Sequence, residues 1–308
     1  MWFSNLYIYR FTKPFAFSAK QVDNRLLKNE FQACSSLQAS SYGWVPPLGR
    51  HGEQFIHEAN GNILVCARKE EKILPAAVIR DIVNDKVAEI EENQARQVRR
   101  KERETMRDEV MLDLLPKAFS RSNLTFAYIC PHDNLLVVNA SSAKKSEELL
   151  NQLRSSLGTL PVVAPVMKTS PAAIMTRWLD KNKAPTNFII GDECELRDAN
   201  DEGGIIRCKH QDLTADEIQS HLSAGKQVVK LSITWGDCLS CLISEDLSIK
   251  RLRFSDEILE QSNEVEAADV VARFDAEFSI MTLELAQFIP SLLEAFGGED
   301  DTAYHAAD

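Results

Sequence analysis

A chain of 308 residues, 44% apolar and 26% charged, has room for two or three domains of ~100–200 residues and enough apolar side chains for a substantial core. No window approaches the roughly 18 uninterrupted apolar residues of a membrane span, and the opening MWFSNLYIYRFTKP lacks the features of a signal peptide, so a cytoplasmic location is expected. The net charge of -11 is unevenly spread: residues 255–308 hold fourteen acids against Arg273, a balance of -13, which leaves +2 on residues 1–254 and keeps a polyanionic partner open.

Alternation around Trp2, Leu6, Ile8 and Phe11 predicts a first strand, and Ser18 caps a helix to about Phe31 with Val22, Leu26 and Leu27 inward. After GWVPPLG (43–49), QFIHEA and NILVCAR meet at Asn60-Gly61, the dipeptide of a type I′ hairpin turn. From Ala76 to about Leu115 nothing breaks a helix, so one long helix or two consecutive ones fit; Pro116 ends the run, and PKAFSR (116–121) exposes Phe119 between Lys117 and Arg121. A hairpin over Leu124–Ala140 turning at Pro131–Asn134, a helix opened near Ser142 and a strand at Val162–Val166 follow.

Short strands are expected at Phe188–Ile190 and Ile205–Cys208, then a helix capped by Thr214 with Glu217 in the capping-box position. The runs KQVVKLSITW, CLSCLIS and SIKRLRF suggest an antiparallel meander, and a closing helix at Thr282–Phe296 shows an apolar stripe of Leu285, Phe288, Ile289 and Leu292. The pattern is α+β, an elongated chain of mixed or antiparallel sheets with long charged helices, not a doubly wound parallel sheet. Its parts are expected at 1–75, 76–121, 122–170 and 171–298, with a disordered tail at 299–308.

Signatures of catalysis are missing: the sequence has no Walker A loop, GxGxxG, HExxH or GxSxG, so no catalytic residue, cofactor or small-molecule substrate is expected. DANDEG (198–203) starts like a calcium loop, but its twelfth position is Lys209 where a glutamate should close the shell. His51, His57, Cys34 and Cys66 match no metal spacing, and Cys238 with Cys241 is one CxxC without partner ligands, so no metal site is expected. The seven cysteines read as reduced thiols, and Glu193 with Glu195 as a solvated strand-edge pair.

QARQVRRKERETMRDE (94–109) behaves differently. On a helix, Arg96, Arg100, Arg103 and Arg107 fall within about 60° of one another along roughly 16 Å, opposite Val83, Val87, Ile90, Val98 and Leu112. Glu92 to Arg96 and Arg100 to Glu104 offer favourable i,i+4 pairs, as an ordinary solvated face would. Arg96 with Arg100 and Arg103 with Arg107 are like-charge pairs that cost roughly 0.2–0.5 kcal/mol each, which phosphate contacts would offset. Other basic clusters are Arg68, Lys69 and Lys72; Lys144 and Lys145; Arg207 and Lys209; and Lys250, Arg251 and Arg253, with Lys250 and Leu252 expected on one strand face and Arg251 and Arg253 on the other. No base-reading motif accompanies them, so DNA contact would be to the backbone.

The phrases GWVPPLG, ANGNILVCARKEEKILP, DEVMLDLLPKAFSR, SLGTLPVV, DEGGIIRCKHQDLT and RFDAEFSIMTLELA resemble those of the recombination-associated RdgC family, from the first strand to about Gly298. The resemblance implies a non-enzymatic nucleoid protein that binds double-stranded DNA with little sequence preference, closes as a ring-shaped homodimer and restrains RecA-dependent recombination. With that resemblance, the residues expected to contact DNA are Arg96, Arg99, Arg100, Lys101, Arg103, Arg107, Lys117, Arg121, Lys209 and Gln211; Phe119, carried over from the LLPKAFSR motif, is expected at a subunit contact, and the meander strands at the other seam by edge pairing. His210 departs from the pattern, standing where a second basic residue is expected. The alternative is a scaffold that inhibits a recombinase directly through its acidic C-terminal part.

Overall fold

The structure, a computed structural model, describes residues 1–198, 203–262, 269–300 and 302–305. Its strands are β1 (Leu6–Phe11), β2 (Ser40–Val45), β3 (Ile56–Ala59), β4 (Asn62–Lys72), β5 (Ser120–Cys130), β6 (Leu135–Asn139), β7 (Val162–Val163), β8 (Phe188–Arg197), β9 (Ile205–Cys208), β10 (Gln227–Trp235), β11 (Leu239–Ser244) and β12 (Ile249–Phe254). They form one sheet rather than several, in the order β2-β4-β5-β6-β1-β12-β11-β10-β8-β9, with β3 on β4 and β7 on β1, every strand pair antiparallel. The first strand is thus a middle one: β1 joins β6 to β12 and carries the sheet across most of the chain's length.

Several elements form for local reasons. Asn60 and Gly61 both take positive φ, 52° and 73°, as a type I′ turn requires. Ser18 and Gln21 make a reciprocal capping box at the start of α1 (Ala19–Leu27). That helix ends four residues sooner than predicted, which leaves Leu27 exposed instead of inward. Ser142 caps α4 (Ala143–Leu157), and Gly158 at φ 83° closes it.

The middle strands are buried on both faces, so their sequences run nearly continuously apolar. Leu6, Ile8, Leu64, Tyr128 and Val137 face one core, while Tyr9, Phe11, Val65, Ile129 and Val138 face another. The second core is covered by α1 and α4 through Val22, Leu26, Leu149 and Leu153. The first is covered by α8 (Val270–Ala295), whose Phe278, Met281, Leu285, Phe288, Ile289 and Leu292 are fully buried. Each such side chain contributes ~1.5–3 kcal/mol by leaving water. This helix starts twelve residues before the predicted Thr282, under an Asp269 cap.

Two further helices cover the same face beside β10: α5 (Pro171–Asp180), which the sequence reading passed over although Pro171 marks its first turn, and α6 (Asp216–Ser223). Thr214 does not cap α6; its hydroxyl donates to Asp212 at 2.6 Å, and Ala215 holds the cap position. Over β8, β10, β11 and β12 the opposite face carries Glu193, Glu195, Lys230, Ser232, Ser240, Arg251 and Arg253 rather than an apolar cluster.

Residues 299, 300 and 302–305 of the predicted tail are described. Glu299 bridges to Met167 and accepts a short bidentate pair from Arg10, while the Tyr304 hydroxyl donates to Glu299 at 2.7 Å. Residues 301 and 306–308 of the predicted tail lie outside the described residues, as do 199–202 of DANDEG.

Candidate nucleic-acid interface

Residues 76–114 fold as two helices, α2 (Ala76–Gln94) and α3 (Arg100–Leu114), that pack against each other. Ala95 takes a left-handed φ of 49° and ends α2; Arg99 is extended and starts α3. The doubling back buries Ile79, Val83 and Val87 of α2 against Met106 and Val110 of α3, a small core separate from the two that flank the sheet. Leu112, predicted on that buried side, is 53% exposed, because the helix register turns Met106 and Val110 inward instead.

The break removes Arg96 from the predicted stripe. It sits between the helices, and its guanidinium grips Glu102 through 2.8 and 2.6 Å hydrogen bonds. Arg100, Arg103 and Arg107 remain on one face of α3, and Arg80 of α2 joins them across a groove of about 380 Å³ floored by Ala76, Ile79 and Val83. Arg80 was missed because only the fold-back brings α2 beside this face. Arg100 pairs with Glu104 at 3.1 Å; among the described residues, Arg80, Arg103 and Arg107 have no carboxylate within ion-pair distance. Arg99 and Lys101 are exposed beside them.

At the base of this hairpin Phe119 is 84% exposed, and its carbonyl accepts from Ile73 N at 2.7 Å. Ile73, which the β4–β5 register sets beside Phe119, is also exposed, so a small apolar spot lies between the exposed Lys117 and Arg121. Arg121 stands opposite Glu71 in the β4–β5 ladder. Arg68 and Lys69 are engaged within the chain, with Ser122 and with Glu71 and Glu148 respectively.

A second basic surface occupies the open sheet face. Glu195, read from sequence as solvated, is only 6% exposed and draws in Arg207 at 2.8 Å and Lys230 at 3.1 Å. Glu193 holds Arg251 at 2.7 Å and Lys209 at 4.0 Å. Arg251 has φ 51° and sits where the β11–β12 register shifts between Ser240 and Leu242. This bulge overturns the predicted alternation: Ile249, Leu252 and Phe254 all point into the core, and Lys250, Arg251 and Arg253 are left off it. Lys250 turns to the Tyr7 hydroxyl at 2.8 Å, and Arg253 has no ion-pair partner among the described residues. Gln211 is exposed beside Lys209, and His210 replaces fixed charge with a 3.0 Å contact to Asp192.

The two surfaces do not converge. From β5, which leads out of the hairpin, to β9, which carries Lys209, the sheet order counts seven strand steps, about 34 Å at ~4.8 Å each. The β2 edge is covered by Asn29–Phe31, whereas the outer edge of β9 has no backbone partner among the described residues.

Burial alone would raise the Glu195 carboxyl, but hydrogen bonds from Arg207 and Lys230 hold it below its ordinary value of 4.5. Its stabilising contribution is therefore complete above that value and lost as pH falls through the lower folded-state value. Urea midpoints followed from neutral pH to about pH 3 should decline less steeply in Glu195→Gln than in the parent. An identical decline would remove this role from Glu195.

No three or more His, Cys, Asp or Glu side chains are placed to hold a metal among the described residues, and no described helix is long and apolar enough to cross a membrane. His57 contacts Asp275 at 3.0 Å, Cys34 contacts Glu70, and burial pushes the Cys66 thiol up to about 12, so the early His and Cys residues go to separate partners.

A family model described as "Putative exonuclease, RdgC" matches residues 1–299. The chain is 50% identical over 302 residues to the recombination-associated protein RdgC of Aeromonas hydrophila, covering 98% of this chain and all of that protein. It is 49% identical to the protein of the same name from Tolumonas auensis and 44% identical to that of Pseudomonas aeruginosa, over 97% of this chain in each case and 99% and 98% of theirs. A match of this extent and the ordered phrases of the sequence agree: the chain belongs to the RdgC family.

Proposed function

We propose that this protein binds double-stranded DNA without reading its sequence, as a ring-shaped homodimer of the nucleoid, and restrains RecA-dependent recombination by occupying the duplex. The observation that carries the reading is the set of arginines without carboxylate partners among the described residues, Arg80, Arg103 and Arg107 on the helical hairpin and Arg253 on the open sheet face, in a chain of net charge -11. A cation without an internal partner is free to displace the counterions condensed on a phosphate backbone, and that exchange depends on charge rather than bases.

Two surface features support the ring reading. The exposed Phe119 precedes β5, near one end of the strand order, and the outer edge of β9, the last strand at the other end, has no backbone partner among the described residues. Two different isologous contacts, one at each end, close a two-fold dimer around a central opening. An exposed aromatic suits the first contact and strand addition the second.

The reading is non-enzymatic, and restraint of recombination is competition for DNA. In a strand-exchange reaction, inhibition should be relieved by excess unrelated duplex, and the duplex should survive incubation with magnesium or manganese. Inhibition that persists under a large excess of duplex, or strand cleavage, would overturn it.

A further inference from the structure

Cys194 and Cys208 stand directly opposite each other in the β8–β9 ladder. Directly opposed residues of antiparallel strands have Cα atoms about 4.5–5.5 Å apart, inside the ~4.4–6.8 Å that a disulfide spans. Opposed side chains also leave the sheet on the same side; Cys194 belongs to the core beneath β8, and Cys208 packs against that core from the edge. All seven cysteines are free, and no other two face each other across a strand pair.

The two thiols differ in access. Cys194 is 2% exposed, and burial first, then Cys208, push its thiol up to about 12. Cys208 is partly exposed on a four-residue edge strand paired, among the described residues, only to β8. One thiol therefore meets solutes first, with the other held in reserve beside it, the arrangement of an attacked and a resolving cysteine.

We propose that Cys194 and Cys208 are a redox-modification site, a thiol pair that a peroxide converts into a cross-strand disulfide. The Cys208 sulfur attacks one peroxide oxygen, the O–O bond breaks, and Cys208 becomes a sulfenic acid as the first water leaves. The Cys194 sulfur then attacks the Cys208 sulfur, the S–O bond breaks, and hydroxide departs with the Cys194 proton as the second water. Two thiols are oxidised and one peroxide is reduced to two waters. In a reducing compartment the pair is open by default, and a thiol reductant restores it. Closing it ties the β9 edge to β8 immediately before Lys209 and fixes an otherwise short, one-sided strand.

The test treats the full-length folded protein with hydrogen peroxide, blocks the remaining thiols and analyses peptides without reduction. The expected product is an intramolecular Cys194–Cys208 link, a chain lighter by two hydrogens, reversed by dithiothreitol and absent from both Cys194→Ser and Cys208→Ser. Amide exchange at residues 205–208 should slow about tenfold in the oxidised chain. Cys208 accumulating as sulfinic acid with no link, a link between Cys208 and any other cysteine, or unchanged exchange in the linked chain would overturn the proposal. Because the readouts are covalent mass and backbone protection, they stand or fall apart from DNA binding.

Discussion

Replacing Arg80, Arg100, Arg103 and Arg107 together by glutamine should weaken duplex binding by at least on the order of 10²–10³-fold at 0.1 M salt and reduce the slope of log affinity against log salt by about 3.6 for each subunit, about 7.2 for the proposed dimer. Each phosphate contact contributes about 0.9 to that slope, and the four side chains line one groove at the end of the α2–α3 hairpin. Folding should be nearly untouched. All four residues are exposed, the hairpin core of Ile79, Val83, Val87, Met106 and Val110 is retained, and the lost Arg100–Glu104 pair lies in solvent, where such pairs count for little. A variant with normal fold and an unchanged slope would move the phosphate surface away from this hairpin. Changing Arg207, Lys209 and Arg253 to glutamine would then locate it on the open sheet face.

Phe119→Ser should open the assembly while leaving the subunit intact. At 84% exposure the ring contributes little to its own chain's core, so the unfolding midpoint should shift by no more than about 0.5 kcal/mol equivalent. As the centre of the proposed self-contact, with Ile73 beside it, its loss should cost about 2–4 kcal/mol at that seam. With the proposed β9 contact intact, light scattering should report an unchanged dimer mass, with a larger hydrodynamic radius. A mass and radius equal to the parent's would remove Phe119 from any contact between copies.

Local chemistry was legible in the sequence wherever a backbone rule is strict. Asn60-Gly61 specifies positive φ at two successive residues, Ser18 and Ser142 announce helix starts, and the alternation of β10 and β11 announces the meander. The break at Ala95 was not legible, because no glycine or proline marks it; the fold-back forms because it buries two apolar stripes that neither helix covers alone. That same break took Arg96 out of the stripe and brought Arg80 in. The Arg251 bulge left a trace, the uneven apolar spacing of Ile249, Leu252 and Phe254, which a period-two reading passes over. The separation of the two basic surfaces had no trace at all. It depends on β1 pairing with both β6 and β12, contacts between residues more than a hundred positions apart.

The central claim is that a dimer grips duplex DNA through charge alone. Affinities for two duplexes of equal length and unrelated sequence, measured from about 50 to 200 mM salt, test it most directly. Equal affinities that fall together along one steep line are expected. A flat salt response, or a clear preference for one sequence, would contradict it.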